Sequence, residues 1–169
     1  MVKPDDGNAS EGITWAACAA DAARVVRSGH GPLLVEPYAP GRIITVGSVT
    51  LLDRVYTLAP LEYLLDDRPI MDKSWKKDPQ RAPAGLEPVA EAQVRGHAAT
   101  VHRAVAAKGL SRTDFILGGG GEIAALEINT NVGLGPSHDL AQAFAATGLT
   151  YDDLVICQAA GALPLPGQR

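Results

Sequence analysis

Arg112, Asp114, Glu127 and Asn129 are the residues of this chain whose types and spacing could do chemistry together. They lie within residues 111–133, SRTDFILGGGGEIAALEINTNVG, where Gly118, Gly119, Gly120 and Gly121 separate two strand-forming runs. Glycine accepts the positive φ of a tight turn without a steric cost, so this spacing predicts a β-hairpin. With the turn centred on Gly119 and Gly120, Arg112 opposes Glu127 and Asp114 opposes Ala125. Alternate residues of a strand share a face. Arg112, Asp114, Glu127 and Asn129 then project from one side, while Phe115, Leu117, Ala124, Leu126 and Ile128 offer the other side to a core. Two carboxylates and an amide oxygen are the hard ligands that Mg²⁺ takes through a few contacts, leaving room for phosphate oxygens and water. The neighbouring guanidinium suits an anion. The same four residues could instead form a solvent-exposed Arg112–Glu127 cross-strand pair with Asp114 in water, an arrangement that contributes little.

The chain that must position them has 169 residues, enough for one domain or two small subdomains with a real core. Its net charge of −4 argues against a general nucleic-acid or membrane-surface binder and points to small-molecule partners. The two cysteines, Cys18 and Cys157, sit in alanine-rich runs and read as small buried residues, not a disulfide or metal pair. No secretion signal and no bilayer-length apolar run is visible, so a reducing, cytoplasmic setting is expected.

The first residues, MVKPDDGNASEGI, read as the end of a strand and a polar loop, as though the chain began inside a strand. Lys3 precedes the loop, and Gly7, Ser10 and Gly12 would let backbone N–H groups approach a phosphate, although the P-loop order is absent and a loose polar terminus fits the same residues. Thr14 is placed to cap a helix over 15–28 that Gly29 ends and that packs on a sheet. Residues 32–38, 42–49 and 51–57 read as strands, the first carrying Glu36, an acid that needs a partner or a ligand. Residues 66–86 show no usable period, and Lys73, Lys76 and Lys77 around Trp75 fit either an anion-closing loop or a solvated one. A helix over 87–108 follows from the spacing of Val89, Ala92, Val94, Ala98, Val101 and Val105, with Pro88 in its first turn and Gly109 at its stop; His97 and His102 read as surface residues. Two short helices, 140–147 and 151–160, close the chain, the second capped by Thr150, and the 164–169 tail reads as frayed. The expected class is α+β, mainly an antiparallel sheet flanked by helices.

Together these runs resemble the ATP-grasp carboxylate–amine ligases, specifically the D-alanine–D-alanine ligase-like branch. The matching stretches are Val2-Lys3-Pro4 with Asn8-Ala9-Ser10-Glu11-Gly12-Ile13, Leu34-Val35-Glu36, Gly41-Arg42, Arg112-Thr113-Asp114-Phe115, Leu126-Glu127-Ile128-Asn129-Thr130 and Ser137-His138-Asp139-Leu140, in the family's order over nearly the whole chain. The resemblance implies residues 1–40 as part of the small ATP-binding subdomain, 41–169 as the C-terminal ATP-grasp catalytic subdomain, and a missing N-terminal portion. That portion would be supplied by a second chain or a homo-oligomer.

The implied activity is ADP-forming ligation of an amino acid or peptide carboxylate to an amine through an acyl phosphate. The implied cofactors are ATP and Mg²⁺, with Mn²⁺ able to replace it. Lys3, with the Ser10 and Gly12 flap, would hold phosphates, and Val35 and Glu36 would line the adenine pocket. Asp114, Glu127 and Asn129 would hold the metal, Arg112 would stabilise the acyl phosphate, and Lys73 or Lys76 would take the place of the mobile-loop lysine. Ser137 and Asp139 would lie near the acceptor's carboxylate. Three positions depart from the family pattern. Ile43 stands where an acid holds the ribose, Ser74 directly precedes Trp75 where a lysine is usual, and Asp139 replaces the serine that grips the acceptor, so that its charge repels a carboxylate unless a cation is near. A catalytically degenerate module that binds nucleotide weakly, or serves as a partner subunit, is the competing reading.

Overall fold

The computed structural model describes residues 1–6, 10–29, 31–66 and 68–162. Gly7, Asn8, Ala9 and the 164–169 tail therefore lie outside the described residues. The chain forms two units, one of Met1–Ala39 with Leu64–Gln80, the other of Pro40–Tyr63 with Arg81–Arg169. Leu64–Gln80 thus groups with the N-terminal segment and not with the residues that flank it in sequence.

In the first unit, β1 (Val2–Pro4) pairs antiparallel with β2 (Leu33–Val35), with Val2 opposite Val35 and Lys3 opposite Leu34. Thr14 exchanges both backbone hydrogen bonds with Val2, at 2.9 and 2.8 Å. Those bonds hold Thr14 extended, so it does not cap a helix; α1 starts later, at Ala19–Ser28, with Cys18 at its N-cap. Among the described residues α1 buries none of its side chains completely, and Cys18 is exposed, which corrects the expectation of a buried Cys18. Residues 68–86 of the charged stretch are also more ordered than their sequence suggests. Asp72 Oδ1 accepts from the Ser74 hydroxyl at 2.7 Å and the Trp75 amide at 2.8 Å, starting a single 3-10 turn at Trp75–Lys77, and the buried Trp75 indole donates to the Leu64 carbonyl at 3.0 Å.

The second unit is built on one long strand, β3 (Arg42–Leu51). Its first half pairs with β5 (Leu61–Tyr63), its second half with β4 (Arg54–Thr57), and its residues 42–49 with β7 (Leu110–Leu117). With β6 (Arg81–Pro83) beside β5 and β8 (Ile123–Asn129) beside β7, the order is β6-β5-β3-β7-β8, every neighbour antiparallel. This is the expected mainly antiparallel sheet with helices around it.

The two-residue period of β3 and β7 assigns their side chains to two cores. Ile44, Val46, Phe115 and Leu117 meet Val94 and Ala98 of α2 (Pro88–Ala104). Val49 and Leu110 meet Leu140, Ala143 and Phe144 of α3 (Asp139–Ala146) and Leu154 of α4 (Tyr151–Ala162). Thr150 caps α4 as expected, exchanging hydrogen bonds with Asp153.

Helix α2 buries Val94, Ala98 and His102, an i, i+4 stripe, and leaves Val89 exposed, as is Val105 at its C-cap. His102 is therefore a core residue and not a surface one, because the sheet provides a hydroxyl for each ring nitrogen: Thr50 Oγ1 at 2.7 Å from Nε2 and Ser111 Oγ at 2.6 Å from Nδ1. Burial lowers its pKa, with Arg103 adding to the effect.

Candidate functional site

The β7–β8 hairpin carries the predicted cluster, with a different register. Gly118 N–H donates to the Glu122 carbonyl at 2.8 Å and Gly121 has φ +90°, so the turn holds three residues, Gly119 to Gly121, instead of two. An irregularity between Asp114 and Phe115 then shifts the register again. The outcome sets Arg112 opposite Asn129 and Asp114 opposite Glu127. The two shifts together preserve the expected shared face of the four residues. They do not preserve the expected core face: Leu126, beside the irregularity, is 50% exposed, Ala124 is exposed too, and Ile123 packs against the α2 core in their place.

Arg112 is the hub of this face. Its Nε and NH2 donate to the two carboxylate oxygens of Asp114 at 3.1 and 3.0 Å, its NH2 lies 3.6 Å from Glu127 Oε1, and its NH1 donates to Asp139 Oδ2 at 2.8 Å. The other oxygen of Asp139 lies 3.0 Å from Arg81 Nε, and Arg81 NH1 donates to the Ser137 carbonyl at 2.7 Å. Asp139 is the first residue of α3, where the helix end favours a negative charge. Tyr63, buried on β5, lies close enough to Asp114 and Asp139 that burial and these two carboxylates drive its phenol well above the usual range.

Burial raises the Asp114 pKa and the Glu127 charge adds to it, against the lowering pull of Arg112 and of Thr45, which faces Asp114 from β3. Burial alone would pull the Arg112 pKa down, but Asp114, Tyr63 and Asp139 hold it above its ordinary value. Asp114 is thus a carboxylate that burial has stripped of hydration, a state that a divalent cation relieves.

Two carboxylates and an amide make up the predicted metal ligands, and among the described residues no three His, Cys, Asp or Glu side chains form a metal-holding group. Glu127 is exposed and available, while the Asn129 side-chain oxygen accepts from the Asn131 amide at 2.9 Å and keeps a second lone pair. The donor chemistry fits Mg²⁺, which is content with few protein ligands. Ser137 is exposed and joins the cluster only through its carbonyl. A cleft of about 440 Å³ lined by Pro60, Pro83, Leu86, Arg95 and Thr147 contains none of these residues.

Other predicted residues belong to the first unit. Lys3 Nζ and Glu36 Oε2 are 2.9 Å apart, joined across the β1–β2 pair, and Val35 at the end of β2 is exposed. Ser10 and Gly12 both have positive φ, +60° and +71°, and a side chain at Gly12 would meet the Pro4 ring. Lys73 pairs with Glu11 at 2.7 Å, and no ion pair involves Lys76 among the described residues.

Arg81 and Tyr63 were missed by the sequence reading. Arg81 lay in a stretch without a period, and its signal was indirect: Asp139 needed a cation.

A family model described as D-ala D-ala ligase C-terminus matches residues 1–157. The chain belongs to this family. Relatives and structural neighbours of this ligase-family chain agree. It is 31% identical over 162 residues to a D-alanine–D-alanine ligase of Oleidesulfovibrio alaskensis, an alignment covering 92% of this chain and 51% of that protein. The chain spans about half the length of the curated relatives that it matches along most of its own length. Its fold is similar to that of the D-alanine-D-alanine ligase from Coxiella burnetii, with TM-score 0.77 and 19% identity over 95% of this chain and 44% of that one. It is also similar to a Bacillus anthracis D-alanine–D-alanine ligase complexed with ATP, with TM-score 0.60 and 16% identity over 76% and 39% of the two chains. The ATP-grasp fold expected from the sequence is thereby shown.

Proposed function

We propose that this chain is the nucleotide- and metal-binding part of an ADP-forming carboxylate–amine ligase of the D-alanine–D-alanine ligase kind. The observation that carries the reading is the Arg112–Asp114–Glu127 cluster, with one carboxylate buried against a guanidinium and one open to solvent. The ATP complex of the Bacillus anthracis neighbour supports ATP as the nucleotide.

In this reading the first unit belongs to the small ATP-binding subdomain and the second is the catalytic subdomain. Lys3 and the Ser10–Gly12 turn hold phosphates, and Val35 and Glu36 face the adenine. Asp114, Glu127 and Asn129 hold Mg²⁺ or Mn²⁺, which when bound neutralises phosphate charge. ATP phosphorylates a carboxylate, and an amine then displaces phosphate from the acyl carbon. Arg112, already fixed by its carboxylates, stabilises the anionic oxygens without reorganising, a contribution worth a few kcal/mol of barrier. Lys73 or Lys76 closes on the anion after Lys73 leaves Glu11. The reading places the chain in the cytoplasm with small-molecule substrates. Choice of the first substrate falls to sequence outside the half shared with the relatives, whether on the same polypeptide, a second copy or another chain.

One observation favours a degenerate, nucleotide-binding-only module. Ile43 lies within β3 between Tyr63 and Ile116 and has no acceptor to offer a ribose. Isothermal titration with a nonhydrolysable ATP analogue and Mg²⁺ tests both readings. The ligase reading expects binding that Asp114→Ala weakens at least tenfold, together with ADP formation when both substrates are supplied. Binding without turnover favours the degenerate module, and no binding by either form removes the catalytic role.

A further inference from the structure

The mostly buried carboxylate of Asp139 sits in a seat built for an anion. One oxygen takes Arg112 NH1 at 2.8 Å and the other lies 3.0 Å from Arg81 Nε; the Arg81 and Asp139 side chains are only 7% and 15% exposed. The α3 N-terminus and the Tyr63 phenol complete the surroundings. Among the described residues Arg81 makes one other contact to the cluster, its bond to the Ser137 carbonyl, which ties down the chain just before Asp139. A small carboxylate arriving from solution would have to displace a carboxylate that is tethered in place, and tethering gives a very high effective concentration. The balance of charge points the same way: Asp114, Asp139 and Glu127 outnumber Arg81 and Arg112 around this face, so the surplus is negative and Glu127 presents it to solvent.

We propose that Asp139, held by Arg81, is a specificity-determining residue that fills the anion seat beside Arg112, so that the acceptor is an amine carrying no free carboxylate next to its amino group: a simple amine, an amino acid amide or an ester. This rests on the ligase reading above, and it deepens that reading by naming the class of acceptor. Arg81 is a positioning residue in this arrangement, acting on Arg112 only through Asp139.

The test uses the 169-residue chain and formate as the anion probe. Asp139→Ala opens the seat. Formate is expected to raise its thermal unfolding midpoint by a few degrees and to shift the Nε–H NMR signals of Arg81 and Arg112, with neither effect in the unsubstituted chain. Glycine should compete with formate for the opened seat, and glycinamide should not. Formate effects of equal size in both forms, no effect in the variant, or competition by glycinamide as strong as by glycine overturns the proposal. Asp139→Ser is the second variant should the alanine form not fold; a variant that folds only when formate is present supports the seat, and one indifferent to it counts against. Titrating the same variants with the ATP analogue separates the two claims: formate uptake without nucleotide binding defeats the ligase reading and with it the assignment of the seat to an acceptor, and nucleotide binding without formate uptake defeats this proposal alone.

Discussion

Arg112 and Lys73 each reach a carboxylate at almost the same distance, 2.8 Å to Asp139 and 2.7 Å to Glu11. The Lys73 and Glu11 side chains are 60% and 64% exposed, whereas those of Arg112 and Asp139 are 19% and 15%. Water and salt screen the first pair, and holding two long side chains together offsets most of its attraction. In the second pair both ions have lost much of their hydration, so each depends on its partners staying in place. Distance therefore says little about which contacts are built into the resting protein; burial decides. An exposed pair is easily exchanged, as the proposed closing of Lys73 on an anion requires, and a buried network holds its groups at fixed positions.

The sharpest way to break this contrast is Arg81→Leu. It removes one counter-ion from a mostly buried carboxylate, and we expect it to cost about 3 kcal/mol of stability, read from urea unfolding, with little dependence on salt. A loss near zero would put the Arg81–Asp139 pair in the same class as Lys73–Glu11.

The same rule extends to the neutral network at His102. Replacing it with phenylalanine strands the buried Ser111 hydroxyl and leaves the Thr50 hydroxyl only its 3.5 Å bond to the Ala107 carbonyl, at a cost of about 2 kcal/mol. Its pH dependence has a definite sign. The folded pKa of His102 is lowered, so its contribution is complete above the unfolded value of about 6.5 and is lost as pH falls from there through the folded value. Unfolding curves collected across that window should converge for the two proteins as pH falls. Curves that stay parallel would show that His102 titrates normally.

Two smaller effects sharpen the contrast from the other side. Leu126→Ala should change stability by no more than about 0.5 kcal/mol, as a surface substitution does; a cost of about 2 kcal/mol or more would restore Leu126 to the core and the two-residue turn with it. Lys73→Ala should leave the unfolding midpoint unchanged at any ionic strength, while weakening binding of the ATP analogue if the lysine closes on an anion.

The sequence disclosed most where local chemistry is decisive. The glycine run marked the hairpin, alternation put Arg112, Asp114, Glu127 and Asn129 on one face, and Pro88 and Thr150 marked the starts of α2 and α4. It disclosed least where a tertiary partner overrides the local signal. Nothing near Thr14 announces a bridge to Val2, and no pattern distinguishes a His102 supplied with two hydroxyls from an exposed one. The hairpin register depended on whether the turn held two or three glycines, a difference that four in a row cannot express. Arg81 was hidden for a related reason: three residues of β6 among prolines and charges give too short a period to detect, although the unpaired charge of Asp139 required something of its kind.

The central claim is that the two carboxylates on adjoining strands β7 and β8 recruit a divalent cation together with nucleotide. Paramagnetic broadening by Mn²⁺ tests it most directly. With the ATP analogue present, substoichiometric Mn²⁺ should broaden the backbone amide signals around Asp114 and Glu127 first, and Glu127→Ala should abolish the effect without unfolding the chain. Broadening that is unchanged in Glu127→Ala, or that begins away from β7 and β8, would contradict the account.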